Sequence, residues 1–112
     1  MWHHFQGRGI ESESILPVFK KQALDEMKHA EALAERISSL GGSPNHIPSA
    51  MKFGGDLRKM MQDDLALEEA AITFYKQIIA KCGDDPTTRR LLESILADEE
   101  GHADTWRTLL AK

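Results

Sequence analysis

With a single cysteine, Cys82, the 112-residue chain cannot close a disulfide within itself, and this usage fits a reducing compartment. Long apolar runs are missing: none approaches the roughly 20 residues that a membrane helix needs, so no membrane partner is expected. The start, Met1-Trp2-His3-His4-Phe5-Gln6-Gly7, lacks a basic stretch followed by an apolar one, which argues against a secretory signal and for a cytoplasmic location. Positive charge is not in excess either. Lys and Arg number 14 against 18 Asp and Glu, a net charge of −4 with the two signs interspersed, so there is no footprint for nucleic acid. Runs of β-branched residues are scarce as well, which argues against strands.

What is present points to helix. Ala, Leu, Glu, Lys and Met abound, and 41% hydrophobic with 29% charged residues suits one globular domain spanning 1–112. Gly7-Arg8-Gly9 closes a short N-terminal stub. Ser12 or Ser14 can cap the next helix, with Pro17 near its first turn, and Gly41-Gly42 followed by Pro44 ends it after Leu40. A further helix is expected from about Asp56 to Cys82-Gly83. Asp85-Pro86 then reads as a cap with proline at the first helical position, opening a last helix that runs nearly to Lys112. The linker from Gly41 to Gly55 carries topology. About 15 extended residues reach roughly 50 Å, longer than a helix of about 27 residues at roughly 40 Å. It can therefore cross the length of a bundle, whereas the short turn at Gly83 makes its flanking helices antiparallel.

Alternating steps of four and three residues trace a stripe on each helix. The stripes are Phe19, Ala23, Glu26, Ala30, Leu33, Ile37, Leu40; then Leu57, Met61, Asp64, Glu68, Ala71, Tyr75, Ile78, Cys82; then Leu92, Ile95, Glu99, His102, Trp106, Leu109. Each is apolar except at its middle, where it is acidic. Two of the acids begin a Glu-x-x-His unit, Glu26-Met27-Lys28-His29 and Glu99-Glu100-Gly101-His102. That spacing projects a carboxylate and an imidazole from one helix face. Glu26, Glu68 and Glu99 all fall near mid-helix, so the carboxylates and the imidazoles of His29 and His102 are expected to meet in one layer. Buried carboxylates need a counter-charge or a proton, and the stripes offer no Lys or Arg at that level. A divalent cation answers the need, because carboxylate and imidazole together suit iron, manganese or zinc. The competing explanation is a hydrogen-bonded polar layer that includes Asp64 and Tyr75 and fixes helix register.

On these residues the chain resembles the ferritin-like di-iron carboxylate proteins, most closely the bacterioferritins. The matching segments are Asp25-Glu26-Met27-Lys28-His29-Ala30, Asp64-Leu65-Ala66-Leu67-Glu68 and Asp98-Glu99-Glu100-Gly101-His102. The resemblance implies an all-α fold, a four-helix bundle with a long crossover linker. It implies that Glu26 and Glu99 bridge two irons, that His29 binds one, and that Glu68 and His102 are terminal ligands of the other. The implied activity is ferroxidase, with Glu26, Glu68 and Glu99 as its carboxylates, serving iron storage and homeostasis. Two departures stand against the family pattern. The first helix, with its terminal Glu, is largely missing, which would weaken the iron beside His29, and the short fifth helix is absent. Seams made for four helices then leave an apolar groove, from which association into a homo-oligomer is expected, a dimer at least, with a cage as the family's form.

Met27 sits about 100° off the metal-facing seam, and a Met at this place in bacterioferritins binds haem between two subunits. The plain alternative is a flexible apolar side chain at a packing surface. A second functional reading is thus a non-catalytic haem- or metal-binding helical dimer. His3, His4 and His46 are expected in solvent, and Cys82 as a small buried residue. Asp64, one turn before Glu68, is expected to support a ligand, a neighbouring backbone group or Tyr75.

Overall fold

The computed structural model describes residues 12–43 and 56–112. The stub with its histidines, and His46 in the linker, lie outside the described residues. Within them the chain forms α1 (Ser12–Ser39), α2 (Leu57–Ile79) and α3 (Pro86–Leu110), with no strand among the described residues. None of these helices is long and apolar enough to cross a membrane.

The helix ends follow local chemistry. At the end of α1 Gly41 takes a left-handed φ of 88°, and its N–H bonds Ser38 O at 3.0 Å while the Gly42 N–H bonds Ile37 O at 2.9 Å. These two bonds form a Schellman motif, and the positive φ explains the glycine. Asp56 caps α2 by accepting from the Arg58 N–H, and Asp85 caps α3 by accepting from the Thr88 N–H, each at 3.1 Å, with Pro86 opening α3. Two expectations need adjustment. Regular helix α2 stops at Ile79, because the Lys81 and Cys82 N–H groups reach back only three residues, to Ile78 and Ile79. Pro17 lies inside α1 rather than in its first turn, so the Glu13 carbonyl lacks an intrahelical donor there.

Cross-links between helices give their directions. Along α1 from Asp25 to His29, the partners on α3 descend from His102 to Asp98. Along α2 from Arg58 to Asp64, they descend from Leu110 to Trp106. Both α1 and α2 therefore run antiparallel to α3 and parallel to each other, the topology that the linker length allows. An apolar cluster of Ile15, Phe19, Met61 and Trp106 joins all three helices at one end, with Leu57, Met60, Leu65, Leu109 and Leu110 packed around it. Each fully buried aliphatic or phenyl side chain of this kind contributes roughly 1.5–3 kcal/mol.

The face that α1 turns inward differs from the expected stripe. The buried residues are Ile15, Phe19, Gln22 and His29, with Glu26, Leu33 and Arg36 half-buried, whereas Ala30, Ile37 and Leu40 are exposed. The true seam takes a step of three after Phe19, to Gln22, where the apolar pattern favoured a step of four, to Ala23. The physical reason is that the facing surface of α3 is polar. His29 meets Asp98, and Arg36 donates to Thr88 Oγ1 at 2.8 Å and to Asp85 Oδ1 at 3.1 Å.

Candidate metal centre

Halfway along the bundle, Glu26 of α1, Glu68 of α2, and Glu99 and His102 of α3 converge. One donor atom from each lies within 4.8 Å of all the others. Glu68, Glu99 and His102 are buried, and Glu26 is partly so. His102 Nδ1 stands 3.1 Å from Glu99 Oε1, 3.3 Å from Glu26 Oε2 and 3.4 Å from Glu68 Oε2. His29 Nδ1 stands 3.5 Å from Glu26 Oε1 at the edge of the group, its ring centroid 6.4 Å from that of His102. Met27 is not part of the cluster: it is 57% exposed on the flank of α1.

The imidazoles are held from behind. His29 Nε2 lies 2.8 Å from Asp98 Oδ2, and His102 Nε2 lies 3.0 Å from Asp25 Oδ2. Each Asp immediately precedes the Glu of the opposite helix, so α1 and α3 exchange the same contact. Because a carboxylate only accepts, each Nε2 carries the hydrogen, and Nδ1 is the atom turned to the carboxylates. Sequence reasoning quoted Asp25 and Asp98 without giving them this role. The available signal was the repeated Asp-Glu-x-x-His, in which the Asp has no helical reason to recur. Lys21 in turn bonds Asp25 at 2.9 Å and, with His102, holds its carboxyl below the usual range. A cleft between α1 and α3, lined by Lys21, Gln22, Asp25, Asp98, His102 and Thr105, reaches this side of the layer.

The charges are frustrated. Burial pushes Glu99 up to about 8, against the pull of His102. Burial acts the same way on Glu26, but the two histidines outweigh it and its carboxyl is lowered. His29 is raised to about 9, first by Glu26 and then by Asp98. Burial lowers His102, yet Glu26, Glu68, Glu99 and Asp25 together raise it to about 12. Protonated imidazoles thus act as the cations of the layer. They do so incompletely, since one N–H cannot satisfy three carboxylate oxygens. Glu26 Oε2, Glu68 Oε2, Glu99 Oε1, His29 Nδ1 and His102 Nδ1 are all buried without a hydrogen-bond partner. Such orphaned atoms are costly; apart from Gln22 Oε1, which is buried without a partner as well, they belong to Glu and His side chains of metal-binding type. Oxygen and neutral imidazole nitrogen in this ratio fit iron, with manganese and zinc as other candidates.

Asp64 is not one of the four gathered donors; its Oδ2 accepts from Trp106 Nε1, and burial, with the charges of Glu68 and Glu26, pushes its carboxyl up to about 6. Burial likewise pushes Tyr75 up to about 12. Cys82 is half-buried rather than buried, with its thiol 3.6 Å from Ile78 O.

Known proteins resemble this chain in sequence and fold. The family model of the ferritin-like domain matches residues 1–112. A bacterioferritin of Mycobacterium leprae (strain TN) is 41% identical over 93 residues, covering 80% of this chain and 58% of the relative. One from Rhodobacter capsulatus is 31% identical over 116 residues, covering 98% of this chain and 71% of the relative. The solved structure of the Mycobacterium tuberculosis bacterioferritin BfrA is similar with a TM-score of 0.75 at 38% identity, covering 81% of this chain and 59% of that one. The chain thus spans 58% to 59% of the length of these mycobacterial relatives.

Proposed function

From a chain that belongs to the ferritin-like family, with bacterioferritins as its relatives, we propose a protein that binds iron at a dinuclear carboxylate centre and oxidises Fe(II) to Fe(III) for storage and homeostasis. The observation that carries this reading is the set of orphaned polar atoms on Glu26, Glu68, Glu99 and His102, gathered in one cluster, with the orphaned Nδ1 of His29 at its edge. Glu26 and Glu99 would hold both irons, Glu68 and His102 one of them, and His29 the other. Iron is the substrate, and each Fe(II) gives up one electron to dioxygen or peroxide.

The chain's own contribution is to prepare the donors. Asp98 and Asp25 keep the Nε2 hydrogens of His29 and His102, so the proton that leaves before metal binds is the one on Nδ1. Glu99 would give up its proton at the same stage, because only the ionised carboxylate binds a cation well. Metal uptake therefore releases protons. The exposed apolar side chains Leu16, Leu24 and Met27 of α1 and Leu67 and Phe74 of α2 support association with further copies. A cytoplasmic location is part of the same proposal.

Aerobic addition of Fe(II), followed by absorbance of the Fe(III) product, tests the reading. Oxidation faster than in protein-free buffer, lost in Glu99→Ala, is the expected result; equal rates with and without protein overturn it.

Met27 favours a second reading, haem binding at a surface shared by two chains, because it is more than half exposed beside exposed Leu24. A Soret band on haem addition that disappears in Met27→Leu is the expected outcome. A protein that stays colourless after gel filtration excludes it.

A further inference from the structure

Asp64 lies one turn before Glu68 on α2, and Trp106 one turn after His102 on α3. Because the helices are antiparallel, the Asp64–Trp106 hydrogen bond and the Glu68–His102 approach are consecutive rungs across one interface. Trp106 is fully buried, its ring centroid 4.5 Å from that of Phe19 on α1, and it clusters with Met61 and Ile15. Packing on all sides leaves the indole N–H little freedom of direction.

A carboxylate is an expensive neighbour for this cluster. An apolar side chain of similar volume would fill the place without desolvating a charge. What apolar packing lacks is direction: buried aliphatic side chains adjust to small shifts, whereas a hydrogen bond between buried groups weakens steeply once distance or angle fails. Register matters here because a slip of α2 by one residue moves Glu68 about 1.5 Å along the helix and about 100° around it. That movement takes its carboxylate away from Glu26, Glu99 and His102. Building on the metal-centre reading, we infer that the Asp64–Trp106 hydrogen bond is a register lock for that centre, a positioning pair that holds Glu68 of α2 opposite His102 of α3 without touching metal itself.

The lock separates metal affinity from stability, which a merely structural role does not. The test uses the full chain with zinc alone as the probe of affinity, measured by competition with a chromophoric chelator. Cobalt(II) absorption reports donor geometry, and thermal melting of the metal-free protein reports stability. Asp64→Leu and Trp106→Phe remove the bond, while Asp64→Asn keeps an acceptor for the indole N–H. Loss of a group that orients ligands weakens metal binding about 10- to 100-fold. That loss is expected for Asp64→Leu and Trp106→Phe, with a shifted cobalt spectrum. Asp64→Asn is expected to retain the affinity and spectrum of the unaltered protein, and Asp64→Leu to melt at the same temperature or higher. Unchanged zinc affinity in Asp64→Leu overturns the lock, as does an equal loss in Asp64→Asn, which would assign the effect to charge. A much lower melting temperature for Asp64→Leu overturns it too. If Trp106→Phe does not fold, the Asp64→Leu and Asp64→Asn pair decides alone. If the unaltered protein takes up no zinc, the metal-centre reading falls and the lock with it. If it takes up zinc and Asp64→Leu binds equally well, only the lock falls.

Discussion

Against α2, helix α3 makes most of its close approaches, and Trp106, Leu109 and Leu110 share the apolar cluster at one end with Leu57, Met60, Met61 and Leu65. Against α1 it makes fewer close approaches, and beyond the Ile15 and Phe19 turns these are ionic or polar: Asp25 with His102, His29 with Asp98, and Arg36 with Asp85 and Thr88. The first interface rests chiefly on removal of apolar surface from water, beside the Glu68–His102, Asp64–Trp106 and Glu69–Arg107 contacts. The second rests on charges whose state depends on pH and on a cation. The difference predicts that the α2–α3 hairpin holds without metal, while the seating of the middle and C-terminal turns of α1 is conditional.

The largest effect should come where the two interfaces share a residue. Trp106→Ala removes the side chain common to all three helices and is expected to cost about 3–5 kcal/mol, read by urea denaturation. A loss below about 1 kcal/mol would mean that the two interfaces do not meet at Trp106 energetically. Zinc at a hundredfold excess over its dissociation constant should add about 2.7 kcal/mol. In hydrogen exchange, new protection is expected to concentrate in α1 around Glu26 and His29; uniform protection of all three helices would erase the contrast.

The pH dependence sharpens it further. His29, with a folded value of about 9 against 6.5, and Glu99, at about 8 against 4.5, both bind more protons folded than unfolded. Their contribution to metal-free stability therefore falls as pH rises, for His29 from about 6.5 to about 9 and for Glu99 from about 4.5 to about 8. Zinc affinity should rise over that same alkaline interval, because the donors must lose those protons. Melting curves with and without zinc at pH 6 and pH 9 check the opposed slopes, and parallel slopes would refute the assignment. Smallest is Arg36→Ala. A part-exposed ion pair of this kind is worth about 0.2–1 kcal/mol, and its loss should speed exchange only in the last turns of α1, since Asp85 still caps α3 through Thr88.

Much of this was legible along the chain. Gly41, Asp56 and Asp85-Pro86 mark helix ends because capping depends on residues within a turn or two of each other. Glu26, Glu68, Glu99 and His102 announce themselves as polar residues at the middle of apolar stripes. On α1 the expected stripe holds at Phe19, Ala23, Glu26 and Leu33 but fails at Ala30, Ile37 and Leu40, which the fold leaves to solvent. Hydropathy assumes an apolar partner, and the partner surface of α3 is not apolar there. His29 was accordingly set beside the seam rather than in it.

The sequence by itself determined the helices, their ends apart from the last turn of α2, and the donor types, because each depends on spacing within one helix. Only the tertiary structure decided that Asp25 and Asp98 cross over to the opposite histidines, that Nδ1 is the nitrogen left facing the carboxylates, and that Asp64 answers to Trp106. Those pairings join residues far apart in the chain, for which helical periodicity carries no information. The Glu-x-x-His units promised two imidazoles in one layer, and the packing of α1 against α3 turned each by holding its far nitrogen.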